Sequence, residues 1–331
     1  MRRFGIISLL LALAATPTRA DDSSAALSAG GLVLTHSADI RMADEQLAVS
    51  PKTVRIRFTF VNDSDQPIDA LVAFPMPDID AGEYSESPIG AVTEDPVNFM
   101  NFKVVSGGAP VAVSVEQRAV IKDRDVSAVV RAAGLPINPI NATGTKALQA
   151  LSPAGRKVLA SAGAADIEDP ADVRPLWTVR TRFYWRQHFP AHTPVVLEQS
   201  YQPVTGQSLF GPTELSAETG DAAYYAKNFC LDSAAHAGLA RKLAAAKAAQ
   251  PENGGYISAY ITDYVLKTGN NWKGPIGHFH LVLDKLKPDN VLSLCWAGSL
   301  VRTSPTTFEF DAKDFAPGQD IKLLVLGSVD R

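Results

Sequence analysis

The 331-residue chain is 46% hydrophobic and 20% charged, with a formal net charge of −4. That composition can bury a sizeable core, and at this length two domains of ~150 residues are the default organisation. A mildly acidic chain without a basic cluster is poorly suited to nucleic acid, and it has no polybasic stretch to hold anionic lipid.

The N-terminus reads as an export signal. Arg2 and Arg3 are followed by an apolar run over residues 6–15, interrupted only by Ser8. Pro17 then breaks the helix, and Thr18-Arg19-Ala20 places small residues at the −3 and −1 positions of a cleavage site. Residues 1–20 are therefore expected to be removed, leaving Asp21 as the mature N-terminus. The run is well short of the ~20 residues that span a bilayer, and no later run approaches that length. The expected location is periplasmic or secreted. Cys230 and Cys295 are the two cysteines. An even count in an exported chain suggests a bridge, with two buried thiols as the alternative. Closing a loop of this size stabilises by roughly 4 kcal/mol in the chain-entropy picture.

Residues 21–29 are small and polar and read as a loose arm. A short strand follows over residues 32–35. Residues 54–60 alternate cleanly: Val54, Ile56, Phe58 and Phe60 share one face, and Arg55, Arg57 and Thr59 the other. This predicts a half-buried antiparallel strand. Residues 62–67 form a turn, residues 68–74 the returning strand, and 99–105 with 111–115 another pair joined at Gly107-Gly108. Residues 121–174 then become rich in Ala and Leu with helical spacing. Ser152-Pro153 marks a helix start, with the proline at the first helical position. Alternation resumes at residues 179–185 and aligns with residues 54–60. A proline-containing turn and a strand over 195–201 follow, so two similar hairpins lie 125 positions apart. The last third carries one helix over 233–249, with Asp232 as its expected N-cap. Strands are predicted at 256–266, 276–285, 291–296, 307–310 and 321–326.

The resulting fold class is mostly β with α insertions: two β-sandwich-like units joined by a helical connector. The boundaries are 1–20 for the signal, 21–120 for the N-terminal β domain, 121–174 for the helical insertion or connector, and 175–331 for the C-terminal β-rich domain with its helix at about 232–249.

Strong catalytic patterns are absent. There is no HExxH, GxSxG, SxxK or phosphate-cradling GxxxxGK[ST], and no cofactor motif. Dispersed carboxylates leave no local motif, so an enzyme is not excluded. His278, His280 and Asp284 fall on one face of a strand at ligand-like spacing, but a plain solvent face explains all three, and no metal is expected. His188 and His192 flank a turn. Asp63-x-Asp65 and Asp78-x-Asp80-x-Gly82-Glu83 resemble calcium loops with misplaced glycines, and turn chemistry accounts for both. Residues 268–277 form a Gly/Asn/Pro loop with Trp272 near its tip. Trp272, with Asn270, Asn271 and Lys273, is the candidate surface for a partner protein or glycan, since stiffened loops often carry function. The competing expectation is a tryptophan folded back to plug the sandwich.

Several segments fall in a specific order: Asp22-Ser23-Ser24-Ala25, Gly31-Leu32-Val33-Leu34, Phe60-Val61-Asn62, and Val72-Ala73-Phe74-Pro75-Met76-Pro77. Tyr184-Trp185-Arg186-Gln187, Phe189-Pro190-Ala191, Tyr201-Gln202-Pro203-Val204 and the loop from Gly269 to Gly277 continue the series. Together they resemble the exported bacterial proteins grouped as domain-of-unknown-function family 4424. The resemblance implies a signal peptide and a periplasmic setting. It brings no activity and no catalytic residues.

Two functional readings follow. The first is a non-enzymatic envelope protein whose β units bind an envelope protein or a glycan. The second is a periplasmic hydrolase with a dispersed carboxylate or metal site in a cleft between the two units. A purely structural assembly factor is a third, and would show a large flat apolar patch.

Overall fold

The structure is a computed structural model that describes residues 25–28, 31–86, 93–169, 172–216, 221–231 and 233–329. The expected signal peptide and the expected cap at Asp232 lie outside these residues. Among those described, no helix is long and apolar enough to cross a membrane.

The chain is mostly β, and two sheets carry most of it. An eight-stranded sheet runs in the order Val301–Arg302, Thr307–Phe315, Ile276–Asp284, Ile40–Val49, Val54–Asn62, Pro194–Tyr201, Lys103–Ser106, Ala109–Val111. A five-stranded sheet holds Ile68–Pro75, Ile79–Asp80, Ser114–Ile121, Arg124–Asp125 and Thr178–Phe189. The two pack face to face, as period-two strands with one apolar face require. Val54, Ile56, Phe58 and Phe60 are buried while Arg55 and Arg57 are exposed. On the facing sheet Phe183 and Trp185 are buried while Arg180 and Arg182 are half-exposed. Phe102 stacks on Phe183 at 4.4 Å and Phe74 on Phe102 at 5.3 Å, so aromatic rings fill the space between the sheets.

Two strand expectations need correction. The turn after Asn62 does not return the chain along its own strand. Val54–Asn62 pairs with Pro194–Tyr201, and Ile68–Pro75 pairs with Thr178–Phe189. Both expected hairpins are arches that carry the chain from one sheet to the other, and each arch's first strand pairs with the other's second. Alternation fixes which face is buried, but it does not name the partner strand. Asn62 clasps the two arch tips. It is fully buried, and its Nδ2 donates to Gln66 O at 2.7 Å and Phe189 O at 3.0 Å, while its own carbonyl accepts from His192 N at 2.8 Å. Residues 25–28, expected in a loose arm, form a strand paired with Gly31–Leu34.

The two β segments do not stand side by side. Strands from residues 21–120 and from 175–331 share the eight-stranded sheet. Ile276–Asp284 joins it parallel to Ile40–Val49. Nor does the helical stretch join two units. The chain leaves Ser114–Ile121 and re-enters at Thr178–Phe189, which pair directly, Val120 opposite Thr178. The helices Ser127–Ala132, Ala142–Gln149 and Pro153–Ser161 are thus an excursion between neighbouring strands. Ser152 caps the last of them, accepting from Gly155 N at 3.1 Å. Trp177 anchors the excursion, donating from Nε1 to Ile137 O at 2.8 Å.

A four-stranded sheet, in the order Gly206–Phe210, Ile257–Tyr264, Ile321–Gly327, Val291–Ser293, lies beside the sandwich. Pro212–Ser216, Asp221–Phe229 and Ser233–Ala249 cover it around a second core of Phe210, Tyr225, Phe229, Leu239, Leu243 and Leu326. Cys230 and Cys295 form a disulfide, Cα–Cα 4.9 Å, that ties the end of the Asp221–Phe229 helix to this sheet.

Candidate functional site

The loop expected to present Trp272 does the opposite. Its ring is 2% exposed and packs 4.4 Å from Phe60 and 6.2 Å from Phe189, closing the end of the sandwich beneath the arch tips. The rest of the loop is docked. Asn270 Nδ2 donates to Pro317 O at 2.8 Å, and Asn271 is buried with its carbonyl accepting from Ser37 N at 2.8 Å. Lys273 pairs with Asp63 at 3.1 Å. A ring held between two phenylalanines has no face to offer a ligand, so Trp272 is the plug given above as the competing expectation, while Asn270 and Lys273 remain at the surface.

The ligand-like histidines also find protein partners. His278 bonds Asp44 at 2.8 Å and Asp311 at 3.1 Å, and His280 bonds Asp311 at 3.0 Å. Hydrogen bonds to Asp44 and then Asp311 hold the His278 imidazole above its usual range. The two rings thus meet at Asp311 and not at Asp284, which accepts from Leu286 N at 2.8 Å. Among the described residues no group of three or more metal-ligating side chains has the geometry to hold an ion. The calcium-like acids are likewise engaged. Asp63 bonds Arg41 and Lys273, and Asp65 bonds His192. Asp80 accepts from Gly82 N and Glu83 N, and Asp78 takes the Arg180 guanidinium.

The site the sequence did not reveal is a cleft of about 560 Å³ between the four-stranded sheet and the rim of the five-stranded one. Asp78, Asp80 and Glu83 line one wall. Asp263 and Lys322, neighbours across the Ile257–Tyr264 and Ile321–Gly327 strands, line the other. Tyr224, Tyr225 and Glu214 come from the helices over that sheet. Tyr225 is buried and bonds Ser208 Oγ at 2.9 Å. Tyr224 is 42% exposed and Leu209 65%, forming an apolar rim, with the Lys322 ammonium 5.7 Å from the Tyr224 ring centre.

Asp263 is the chemically distinctive member. Its Oδ1 is buried and, among the described residues, has no hydrogen-bond partner. Burial pushes its carboxyl above the usual range; Lys322 opposes the shift, and Asp320 and Glu83 reinforce it. A carboxyl pushed toward its neutral form at a cleft wall is the environment in which functional acids occur. Only the acidic pattern from Asp78 to Glu83 hinted at this place, because Asp263 sits on a strand with no local motif.

Residues 20–324 match the family described as Domain of unknown function (DUF4424). The chain belongs to that family. No curated protein matches it in sequence. Among solved structures, this DUF4424 member is similar to a Legionella pneumophila protein described as a proposed nutrient binding protein. The two share 15% identity and a TM-score of 0.46, over 88% of this chain and 68% of that one. It is also similar to an M1 zinc metallopeptidase from Deinococcus radiodurans, at 8% identity and a TM-score of 0.27, over 89% of this chain and 43% of the peptidase. At these scores neither likeness bears on function.

Proposed function

We propose that the protein is an exported, non-enzymatic binding protein of the cell envelope that holds a glycan-class ligand in the Asp263 cleft. The observation that carries this reading is the convergence of Asp78, Asp80, Glu83 and Asp263 on one cleft rimmed by Tyr224 and Leu209. A ligand hydroxyl donating to a carboxylate oxygen on that wall makes a charge-assisted hydrogen bond. The surrounding carboxylates accept further hydroxyls, and the Tyr224 and Leu209 rim suits the apolar face of a sugar ring. The disulfide supports an oxidising compartment.

The test is glycan-array binding followed by titration calorimetry on the best hit. Asp263→Ala and Tyr224→Ala are expected each to weaken binding at least tenfold without lowering Tm. Retention of full affinity in both variants overturns the assignment.

One observation favours hydrolysis as a second reading. Asp263 and Glu83 line the same cleft and burial pushes the Asp263 carboxyl above its usual range; two carboxyls in unlike surroundings are the equipment from which an acid–base pair is built. That reading predicts cleavage of the bound glycan, abolished by Asp263→Asn while binding persists.

A further inference from the structure

The open face of the eight-stranded sheet carries a second, separate feature. Its register lines up Glu309, Val282, Ala48, Arg55, Ser200 and Lys103 in one row across the strands. The adjacent row is Asp311, His280, Gln46, Arg57, Glu198 and Val105. Acids and histidines gather at one end of the face and cations at the other. A groove of about 490 Å³ runs over both rows, from His280 and Val282 to Lys103 and Val105.

The charges in this groove do not balance. Arg57 and Glu198 face each other at 3.7 Å with both side chains largely exposed, a pair worth little. Among the described residues Arg55 and Lys103 form no ion pair, although both are exposed. They sit on either side of Ser200, directly opposite it on the two neighbouring strands. Strands lie ~4.8 Å apart, so the two backbones are separated by ~10 Å, a gap that two long cationic side chains can close over one anion. Ser200 supplies a hydroxyl between them. On the other side of Arg55 the row continues into half-buried Ala48 and Val282, an apolar floor.

We propose that this groove binds a small phosphate monoester, its dianionic head between Arg55 and Lys103 over the Ser200 hydroxyl and its carbon skeleton directed past Arg55 toward Ala48. Three cations against one carboxylate leave two positive charges to neutralise. A phosphate monoester carries about −1.5 to −2 at neutral pH, and its oxygens accept from guanidinium, ammonium and hydroxyl together. A monocarboxylate would leave one cation unanswered. The site lies on a different sheet from the Asp263 cleft and takes an anionic ligand, where that acidic cleft takes a hydroxyl-bearing one.

The experiment titrates the mature full chain with phenyl phosphate, and with benzoate and inorganic phosphate as comparison probes, by calorimetry at low salt. Phenyl phosphate should bind at least tenfold more tightly than benzoate, which lacks the second charge, and more tightly than inorganic phosphate, which lacks the ring. Arg55→Ala and Lys103→Ala should each weaken it about tenfold, with circular dichroism unchanged because both side chains are exposed. Lys313→Ala, on a neighbouring row at the acidic end, should not. Rising salt should weaken binding. Absence of saturable binding, equal affinity for benzoate, or undiminished affinity in the Arg55→Ala/Lys103→Ala double variant each overturns the proposal. Asp263→Ala should leave phenyl phosphate binding intact, so failure of the cleft assignment and failure of this one are read separately.

Discussion

Glu45 is the residue least at ease in its surroundings. It is 1% exposed, lies across from Phe58 on one neighbouring strand and Phe279 on the other, and has the Tyr264 hydroxyl as a donor at 3.4 Å. Burial pushes its carboxyl up from 4.5 to about 8; the Tyr264 hydrogen bond opposes the shift, and Asp44 adds to it. The folded state therefore keeps a proton that the unfolded chain releases throughout that window. Stability is insensitive to this group below pH ~4.5 and falls as pH rises toward ~8, by at most about 1.4 kcal/mol per pH unit. Glu45→Gln, which stays neutral, should match the wild type at pH 4 and exceed its Tm at pH 8. Thermal melts from pH 4 to 9 check this, and two parallel curves would sink the idea. The same residue explains why its strand escapes a reading of the sequence. Ile40–Val49 carries Asp44, Glu45 and Gln46 in a row, and its register shifts between Met42 and Asp44. That irregularity moves the inward set from Ile40 and Met42 to Glu45, Leu47 and Val49, so no period-two pattern survives end to end.

At the scale of elements, what the sequence declares well is local. The alternation of Val54–Asn62 and the helix Ser233–Ala249 both appear where spacing placed them. What it hides is pairing, because arches and hairpins share the same strand–turn–strand pattern and differ only in where the second strand finds a partner. The small core under the Asp221–Phe229 helix is hidden for a related reason: it is built from Phe210, Tyr225, Leu239 and Leu326, none of which forms a patterned run with another. Trp272 belongs to this scale because its ring closes the end created by the two arches. Removing it leaves Phe60 and Phe189 facing a void where the aromatic cluster was. Trp272→Ala should therefore destabilise by roughly 3–5 kcal/mol, as large-to-small aromatic core changes do. Denaturant melts measure it, and an unchanged midpoint would return the ring to the list of binding candidates.

At the scale of the molecule, the two β segments are interlocked. In the eight-stranded sheet, Ile40–Val49 lies between its own neighbour Val54–Asn62 and the distant Ile276–Asp284, and Val54–Asn62 takes Pro194–Tyr201 on its other edge. In the facing sheet Ile68–Pro75 has Thr178–Phe189 as its strand partner. A fragment of residues 21–120 would keep the pairing of Ile40–Val49 with Val54–Asn62, the hairpin of Ala25–Ser28 with Gly31–Leu34 and the short hairpin at Gly107-Gly108, and lose the pairings with later strands. It would also expose the apolar faces of Phe58, Phe60, Phe74 and Phe102 that the later strands cover. An isolated pair of strands is marginal in water, and three or more with a covered face are needed for independent stability. The fragment should therefore show no cooperative thermal transition and a collapsed amide proton spectrum. The full chain should lose its two large sheets in one transition, since neither can melt without unpairing strands of the other segment. A folded, cooperatively melting 21–120 fragment would mean that the first β segment supplies its own missing partners and that the interlocked sheets are not required for folding.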